Sequence, residues 1–359
     1  MNRIFSLFAC AAMVFAFSGS VAAGNNSGAA FSIWPDTGQT VCCDANGNVL
    51  DPCPAAGQPF YGQDAQYDGP VRSYTILGGG AMVHDNVTGL IWERKQNKDG
   101  TKDYTNPHDA DNTYTWCDIN SATNGGNEGT CGEHDTKDFI DALNAENFGG
   151  HSDWRLPTIK ELITLDDYGR YGPAINVYFF PGVSYGDSYW SATTSKESNN
   201  IDDAFWDDVG TDGGDYLAGK SIQMKVRAVR GGYELNSSRF VDNGDGTITD
   251  TITGLQWQKF SMDLDSDGFP DVMNWQQALS SAENMVLAGF NDWRLPNINE
   301  LKSIVDYNRV YPNIDTAMFP DTMFNSYWTS TTFANYRDQA MRVSIVTKFS
   351  WICTYPSYQ

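Results

Sequence analysis

One acidic segment has the residue types and spacing of a calcium-binding loop. Within residues 263–271, positions 1, 3, 5 and 9 are carboxylates, namely Asp263, Asp265, Asp267 and Asp271. Calcium prefers such oxygen ligands, and Gly268 at position 6 permits the sharp turn that this type of loop requires. Position 12 is Asn274 instead of the usual bidentate glutamate. The segment therefore indicates either a calcium site completed by residues elsewhere or a solvated acidic loop.

Cysteine is the second residue type with chemistry to offer. Six of the seven cysteines lie beyond residue 40, and an even number in an exported chain favours disulfides. Cys117 and Cys131 flank one loop rich in Asn and Gly, and Cys42 with Cys53 is the second expected pair. Cys43 and Cys353 either pair with each other or stay free. Zinc is disfavoured because no Cys-x-x-Cys motif occurs and the four histidines are scattered.

Catalytic motifs are missing from the sequence. It has no Gly-x-Ser-x-Gly elbow, no phosphate-binding loop and no His-Glu-x-x-His. We therefore expect a protein that is not an enzyme. A ligand site is expected on loops that differ between the repeats described below, such as residues 194–216, with the candidates Trp206, Asp207 and Asp208.

The N-terminal residues have the features of a secretory signal. Arg3 precedes an apolar stretch over residues 4–17, and Val-Ala-Ala at 21–23 fits a cleavage site, so the mature chain is expected to begin at Gly24. A lipid anchor on Cys10 is the alternative to simple cleavage. No later stretch approaches the length of a transmembrane helix. The expected location is extracellular, cell-surface or periplasmic.

The charge of the chain restricts its partners. With 45 acidic and 23 basic residues, the formal net charge is −22. Such a chain repels polyanions, so nucleic acid is excluded as a partner. The same acidity suits either a calcium-containing environment or neutral ligands, although solubility alone also explains it.

Three motifs occur twice in the same order, which indicates two tandem domains. Residues 85–92, 153–157 and 188–190 return at 250–257, 292–296 and 326–328. We predict a leader rich in Cys, Gly and Pro at 24–80, packed on copy 1, then copy 1 at 81–232 and copy 2 at 240–359. Copy 1 carries an insertion that contains Cys117 and Cys131, and we expect their disulfide to stabilise an added surface loop.

The elements within the copies alternate between short helices and strands. Asn274 with Gln277 predicts a helix start, and Thr158 with Glu161 and Asn297 with Glu300 have the spacing of capping boxes. Those glutamates are expected to cap helices and not to catalyse. Apolar and polar residues alternate over 222–228, which predicts a half-buried closing strand in copy 1. The fold class is therefore α+β, with short helices on small, mainly antiparallel sheets.

The repeated aromatic and arginine residues are expected to be structural. Both copies need them at matching places, so we predict that the tryptophans pack in the cores and that the arginines anchor hydrogen bonds. These residues are Trp92, Trp154, Arg155, Trp190, Trp257, Trp293, Arg294 and Trp328.

These motifs resemble the Legionella collagen-like protein C-terminal (Lcl) domain family. The resemblance rests on Val-Thr-Gly-Leu-Ile-Trp at 87–92, Trp-Arg-Leu-Pro-Thr at 154–158, Tyr-Trp-Ser at 189–191 and Val-Arg-Ala-Val-Arg at 226–230. It implies a fold similar to C-type lectins and to formylglycine-generating enzymes. The family's founding protein is an adhesin that binds sulfated polysaccharide. This sequence lacks the Gly-X-Y collagen repeat, and its charge opposes a polysulfate ligand.

The functional expectation follows from that resemblance. We expect an exported binding or adhesion protein that recognises a neutral glycan or a protein surface. The alternative is a structural module of a cell-surface assembly. An enzyme of the formylglycine-generating type ranks third, because the reactive cysteine pair of that family is missing and position 228 is alanine.

One difference between the copies remains. Copy 2 has no match to residues 226–230 of copy 1. We expect either that residues 350–356, which hold Cys353, replace the closing strand or that copy 2 exposes a strand edge to a partner.

Overall fold

The computed structural model describes residues 34–232, 239–268, 270–322 and 326–345. The predicted signal at 1–23 and the predicted substitute strand at 350–356, with Cys353, lie outside these residues. In the described ranges, no helix combines the length and the apolar character needed to cross a membrane.

Copy 1 is built from two antiparallel sheets and two helices. The first sheet has the order β3-β4-β5-β9 and the second the order β6-β7-β8. The strands are β3 (Tyr74–Leu77), β4 (Met82–Asp85), β5 (Ile91–Glu93), β6 (Tyr189–Thr194), β7 (Asp203–Asp207), β8 (Asp215–Gly219) and β9 (Val229–Arg230). The helices are α1 (Thr136–Ala145) and α2 (Ile159–Leu162). Strand β3 falls within the predicted leader, but it pairs with β4 and so belongs to the sheet of copy 1.

The closing strand of copy 1 lies later than the alternation predicts. Only β9, at residues 229–230, pairs along β5, whereas Met224 and Lys225 form isolated bridges. The prediction was wrong because Arg227 occupies a position counted as solvent-facing yet is buried. Its guanidinium donates to the Glu93 carbonyl oxygen at 2.7 Å, while the apolar Ile222 is 48% exposed.

Copy 2 repeats these elements up to the counterpart of β7. They are β10 (Phe240–Asp242), β11 (Thr247–Asp250), β12 (Gln256–Gln258), α3 (Trp275–Glu283), α4 (Ile298–Ile304), β13 (Ser326–Thr332) and β14 (Ala340–Ser344). Strands β10, β11 and β12 form one antiparallel sheet, and β13 pairs with β14. Within the described part of copy 2, no strand corresponds to β8 or β9. The α+β class with two tandem copies is confirmed.

The repeated tryptophans occupy equivalent core positions. All six are buried, which removes large apolar surfaces from water. The indole N–H of Trp190 donates to the Tyr114 carbonyl oxygen at 3.0 Å, and that of Trp328 donates to the Met273 carbonyl oxygen at 2.9 Å. Two further tryptophans outside the repeated motifs form another matched pair. Trp116 donates to the carbonyl oxygen of residue 191 at 2.9 Å, and Trp275 to that of residue 329 at 2.8 Å.

The leader is held by the predicted Cys42–Cys53 disulfide and a two-stranded ribbon, β1 (Cys42–Cys43) and β2 (Val49–Leu50). It contacts copy 1, where the Thr37 carbonyl oxygen accepts from the Tyr168 backbone N–H at 2.7 Å, and it also packs on β13 of copy 2, which the prediction did not include. The physical reason is that β13 is fully buried and its threonine side chains need partners. Thr331 Oγ1 donates to Asp64 Oδ2 at 2.6 Å, and Gln39 Oε1 accepts from the Thr332 backbone N–H at 3.1 Å.

The two copies share one hydrophobic core. Ile159, Ile163 and Tyr168 of copy 1 lie in the same buried cluster as Ile298 and Leu301 of copy 2. Because side chains from α2 and α4 are removed from water together, the two copies form one packed body.

Candidate binding cleft

A cleft of about 780 Å³ opens on copy 1 and reaches the first turn of chain after α4 in copy 2. This volume lies in the range of ligand sites, roughly 300–1,000 Å³. Its walls include residues 117–123, the N-terminal ends of α1 and α2, residues 192–196 and residues 306–308, and Trp34 of the leader also lines it.

The first wall is the inserted loop that only copy 1 has. The predicted Cys117–Cys131 disulfide closes this loop. The Thr136 hydroxyl fixes the loop to α1, since it accepts from the Cys117 backbone N–H at 2.9 Å and donates to the Cys117 carbonyl oxygen at 3.0 Å. Gly129 packs so tightly that a Cβ there would lie 2.3 Å from the Trp116 carbonyl oxygen. The loop is therefore held rigidly, and it presents Ile119, which is 57% exposed, at the cleft.

The floor of the cleft is the N-terminal end of α2. Thr158 caps this helix, accepting from the Glu161 backbone N–H, and the Glu161 carboxylate closes the capping box. Thr193 Oγ1 accepts from the Ile159 backbone N–H at 2.9 Å. Arg155 forms a bidentate ion pair with Glu161, with N–O distances of 2.8 and 2.6 Å. The floor therefore offers hydroxyl groups and a neutralised ion pair beside the apolar Leu156.

Lys160 lies on the side of the cleft that faces copy 2. Its Nζ donates to the Ser303 carbonyl oxygen at 2.9 Å, so it links the two copies. Burial, reinforced by the nearby Arg239 guanidinium, lowers the pKa of Lys160 to about 7. Near neutral pH this amine is consequently protonated in only part of the molecules.

The copy 2 wall is fixed by a buried polar cluster between the copies. Tyr307 donates to Asp215 Oδ2 at 3.0 Å, and its ring packs edge-on against Phe205 at 5.0 Å between centroids. Lys302 Nζ lies 3.0 Å from Asp215 Oδ1 and 3.1 Å from the Tyr168 hydroxyl. These contacts hold residues 306–308 beside copy 1, so the cleft needs both copies to exist.

The face that forms the cleft in copy 1 is covered in copy 2 by the leader. Phe60 packs on Trp275 with ring centroids 6.3 Å apart, and the Tyr67 ring lies 4.9 Å from the Arg294 guanidinium carbon. Asp64 and Gln39 bind Thr331 and Thr332 as described above. By the repeat, the residues that correspond to these four contacts in copy 1 are Trp116, Arg155, Thr193 and Thr194, and all four line the cleft.

The exposure of the two arginines shows the effect of this cover. Arg155 in copy 1 has a side chain that is 41% exposed, whereas the Arg294 side chain beneath Tyr67 is 10% exposed. Both arginines make the same bidentate pair with a capping glutamate, Glu161 or Glu300. The predicted anchoring contacts are therefore present in both copies, and the difference in burial comes from the leader.

The ligand candidates Trp206, Asp207 and Asp208 lie outside the cleft lining. Trp206 and Asp207 lie in a strand and not in a loop, because residues 203–207 form β7, and Asp208 follows it. Trp206 stacks on Tyr216 with centroids 5.0 Å apart. The Asp207 residue is 0% exposed, and burial together with Asp166 raises its pKa well above the ordinary value. Asp208 is half-buried, and burial raises its pKa to about 6.

The insertion around Cys117 was the better signal for a site. The sequence predicts a disulfide-closed surface loop there, and it places the expected ligand site on residues 194–216, which also differ between the copies. Both regions differ in length between the copies, so the sequence does not distinguish them. In the structure, residues 117–123 face copy 2, whereas residues 203–207 pair within a sheet.

The acidic loop stays a calcium prediction. Carboxylate oxygens of Asp263, Asp265 and Asp267 all lie within 4.8 Å of one another. The Asp263 carboxylate also accepts backbone N–H groups of Asp267 at 3.1 Å and Gly268 at 2.9 Å. Asp271 turns back and accepts from the Leu264 backbone N–H. These bonds shape the loop with or without an ion.

Cys43, the cysteine left over next to the leader disulfide, is buried and forms no disulfide within the described residues. Burial raises the pKa of its thiol. Its predicted alternatives, pairing with Cys353 or remaining free, both stay open because Cys353 lies outside those residues.

Comparison with known families agrees with the repeat. Residues 81–230 and residues 246–354 each match the model of the Lcl C-terminal domain. No curated protein and no solved structure matches the chain. The two matched regions cover both copies, and the leader precedes them.

Proposed function

The chain belongs to the Lcl C-terminal domain family and carries two copies of the domain, and from this premise we propose that it is an exported, non-enzymatic protein that binds a protein partner through the cleft of copy 1. The family is consistent with an extracellular protein. The N-terminal signal predicted at residues 1–23 supports export.

The observation that carries this proposal is the cover on copy 2. The same face of the repeated domain is filled by polypeptide in one copy and is open in the other. A polypeptide in copy 2 buries an arginine and satisfies threonine hydroxyls, which are interactions that protein segments make readily. The open face of copy 1 keeps Arg155 and Thr193 accessible, so its surface is suited to the same class of ligand.

The lining of the cleft is suited to binding a ligand and not to catalysing a reaction. It combines apolar side chains such as Ile119 and Leu156 with the hydroxyls of Thr158 and Thr193. The Arg155–Glu161 pair is already neutralised and caps a helix, so neither residue is free to act as an acid or a base. Convergent polar groups in an apolar cleft are typical of recognition sites.

A combined array of extracellular-matrix proteins and of neutral and sulfated glycans tests the proposal. Ala122 is exposed and lines the cleft, so Ala122→Trp fills the cleft without disturbing the core. Ala56 is exposed on the leader, and Ala56→Trp is the matched control. We expect the full chain to bind at least one protein, with the signal lost in Ala122→Trp and kept in Ala56→Trp.

Two results would contradict this expectation. Signals confined to glycans and abolished by Ala122→Trp would assign the cleft to carbohydrate. Protein signals that survive Ala122→Trp would place the binding surface elsewhere.

A further inference from the structure

The contacts of the leader on copy 2 specify what kind of segment this face accepts. Three leader side chains make the contacts, and they lie close together in the chain, at Phe60, Asp64 and Tyr67. A short helical turn over Asp64–Gln66 places the carboxylate and the two aromatic rings against the same surface. The recognised pattern is therefore aromatic, then acidic, then aromatic.

Each of these three groups meets a defined partner. The Phe60 ring packs on an indole, the Asp64 carboxylate accepts from a threonine hydroxyl at 2.6 Å, and the Tyr67 ring covers a guanidinium at 4.9 Å. The Tyr67 hydroxyl additionally donates to the Glu283 carboxylate at 2.5 Å. Aromatic packing, a hydrogen bond between a carboxyl group and a hydroxyl, and a cation–π contact are all directional, so together they select a sequence and not merely an apolar chain.

Copy 1 presents two of the three corresponding partners in the open cleft. Trp116 occupies the place of Trp275, because each indole donates to the same carbonyl of a later strand, but it is 1% exposed and Lys220 Nζ already lies 4.3 Å from its ring centroid, so it is closed to an incoming aromatic ring. Thr193 occupies the place of Thr331, because each hydroxyl accepts the first backbone N–H of the next helix at 2.9 Å. The Arg155 guanidinium is held by Glu161 as Arg294 is held by Glu300.

We propose that the cleft of copy 1 binds a partner-protein segment that carries an aspartate followed three positions later by a tyrosine, in the manner of Asp64 and Tyr67 of the leader. This proposal rests on the proposed function for the location of the site and adds the chemistry of the ligand. The leader itself is the nearest available mimic of that segment.

The test uses a synthetic peptide of residues 56–69 added to the full chain and followed by isothermal titration calorimetry. The leader is covalently attached, so its effective concentration at copy 2 is high and the free peptide is directed to the open cleft. We expect one site with a Kd below about 1 mM, since a flexible peptide loses entropy on ordering. Peptides with Asp64→Ala or Tyr67→Ala should each bind at least about tenfold more weakly.

Two variants of the protein show where on its surface the peptide binds. Ala122→Trp should abolish binding, and Ala56→Trp should leave the Kd unchanged. No binding of the peptide at 1 mM, or equal binding of a scrambled peptide, would overturn the proposed ligand chemistry. If the array still showed a protein partner lost in Ala122→Trp, the proposed function would stand while this inference failed. Peptide binding that persists in Ala122→Trp would place the peptide outside the cleft and overturn this inference.

Discussion

Asp166 is the residue whose burial is hardest to reconcile with its charge. Its carboxylate is fully enclosed between the copies, where the Tyr168 hydroxyl donates to Oδ2 at 3.1 Å. Burial raises the pKa of Asp166 to about 7, although Lys302 opposes the shift. By the repeat, the same position in copy 2 is Val305, a buried apolar residue. Sequence pattern could not reveal this burial, because an Asp-Asp-Tyr run before glycine resembles a surface turn.

The raised pKa of Asp166 predicts that stability falls as the pH rises. Between about pH 4 and pH 7 the folded chain holds a proton at Asp166 that the unfolded chain has released, so the free energy of unfolding decreases over that interval. Asp166→Asn should reduce this dependence, to which Asp64, Asp207 and Asp208 also contribute, and should raise the free energy of unfolding at pH 7.5. Urea titrations at pH 5 and pH 7.5 measure the free energy of unfolding of the wild type and the variant.

The control for that prediction is Asp141→Asn, an exposed carboxylate on α1. It should leave the pH dependence of the wild type unchanged. Equal slopes for the wild type and Asp166→Asn would show that Asp166 is not the group responsible.

At the scale of elements, helix starts were the most predictable features. The capping boxes at Thr158–Glu161 and Asn297–Glu300 are both present, because side chain and backbone partners lie three residues apart in the sequence itself. The two disulfides were predictable for the same reason, since each closes a short loop. The closing strand was not, because alternation cannot anticipate that a buried carbonyl would bind Arg227.

The two capping glutamates form matched ion pairs that differ chiefly in the exposure of the arginine side chain, which is 41% for Arg155 and 10% for Arg294. Burial opposes ionisation of Glu300, but the Arg294 guanidinium outweighs it and lowers its pKa. Glu300→Gln leaves a buried guanidinium without its counter-ion and should lower the free energy of unfolding by about 3 kcal/mol. Glu161→Gln, beside the half-exposed Arg155, should cost about 1 kcal/mol. Urea unfolding of both variants at pH 7 compares them, and equal losses would mean that the leader does not deepen the burial of the pair.

At the scale of the whole molecule, the sequence identified two copies but not how they join. Repeated motifs are local, so they can be found by comparing the sequence with itself. The shared core of α2 and α4 and the contacts of the leader with copy 2 cannot, because they join segments more than a hundred residues apart. The leader was expected on copy 1, its neighbour in the chain. Its place on copy 2 leaves the matching face of copy 1 open, and that asymmetry creates the candidate site.

Hydrogen–deuterium exchange on the full chain, with and without the saturating peptide of residues 56–69, tests this asymmetry most directly. We expect slower exchange in residues 117–123, 192–196 and 306–308, which form walls of the cleft. We expect no change in residues 326–332, which the attached leader already covers. Unchanged exchange at all three walls, or altered exchange confined to residues 326–332, would contradict the claim that copy 1 holds the open counterpart of the leader's binding face.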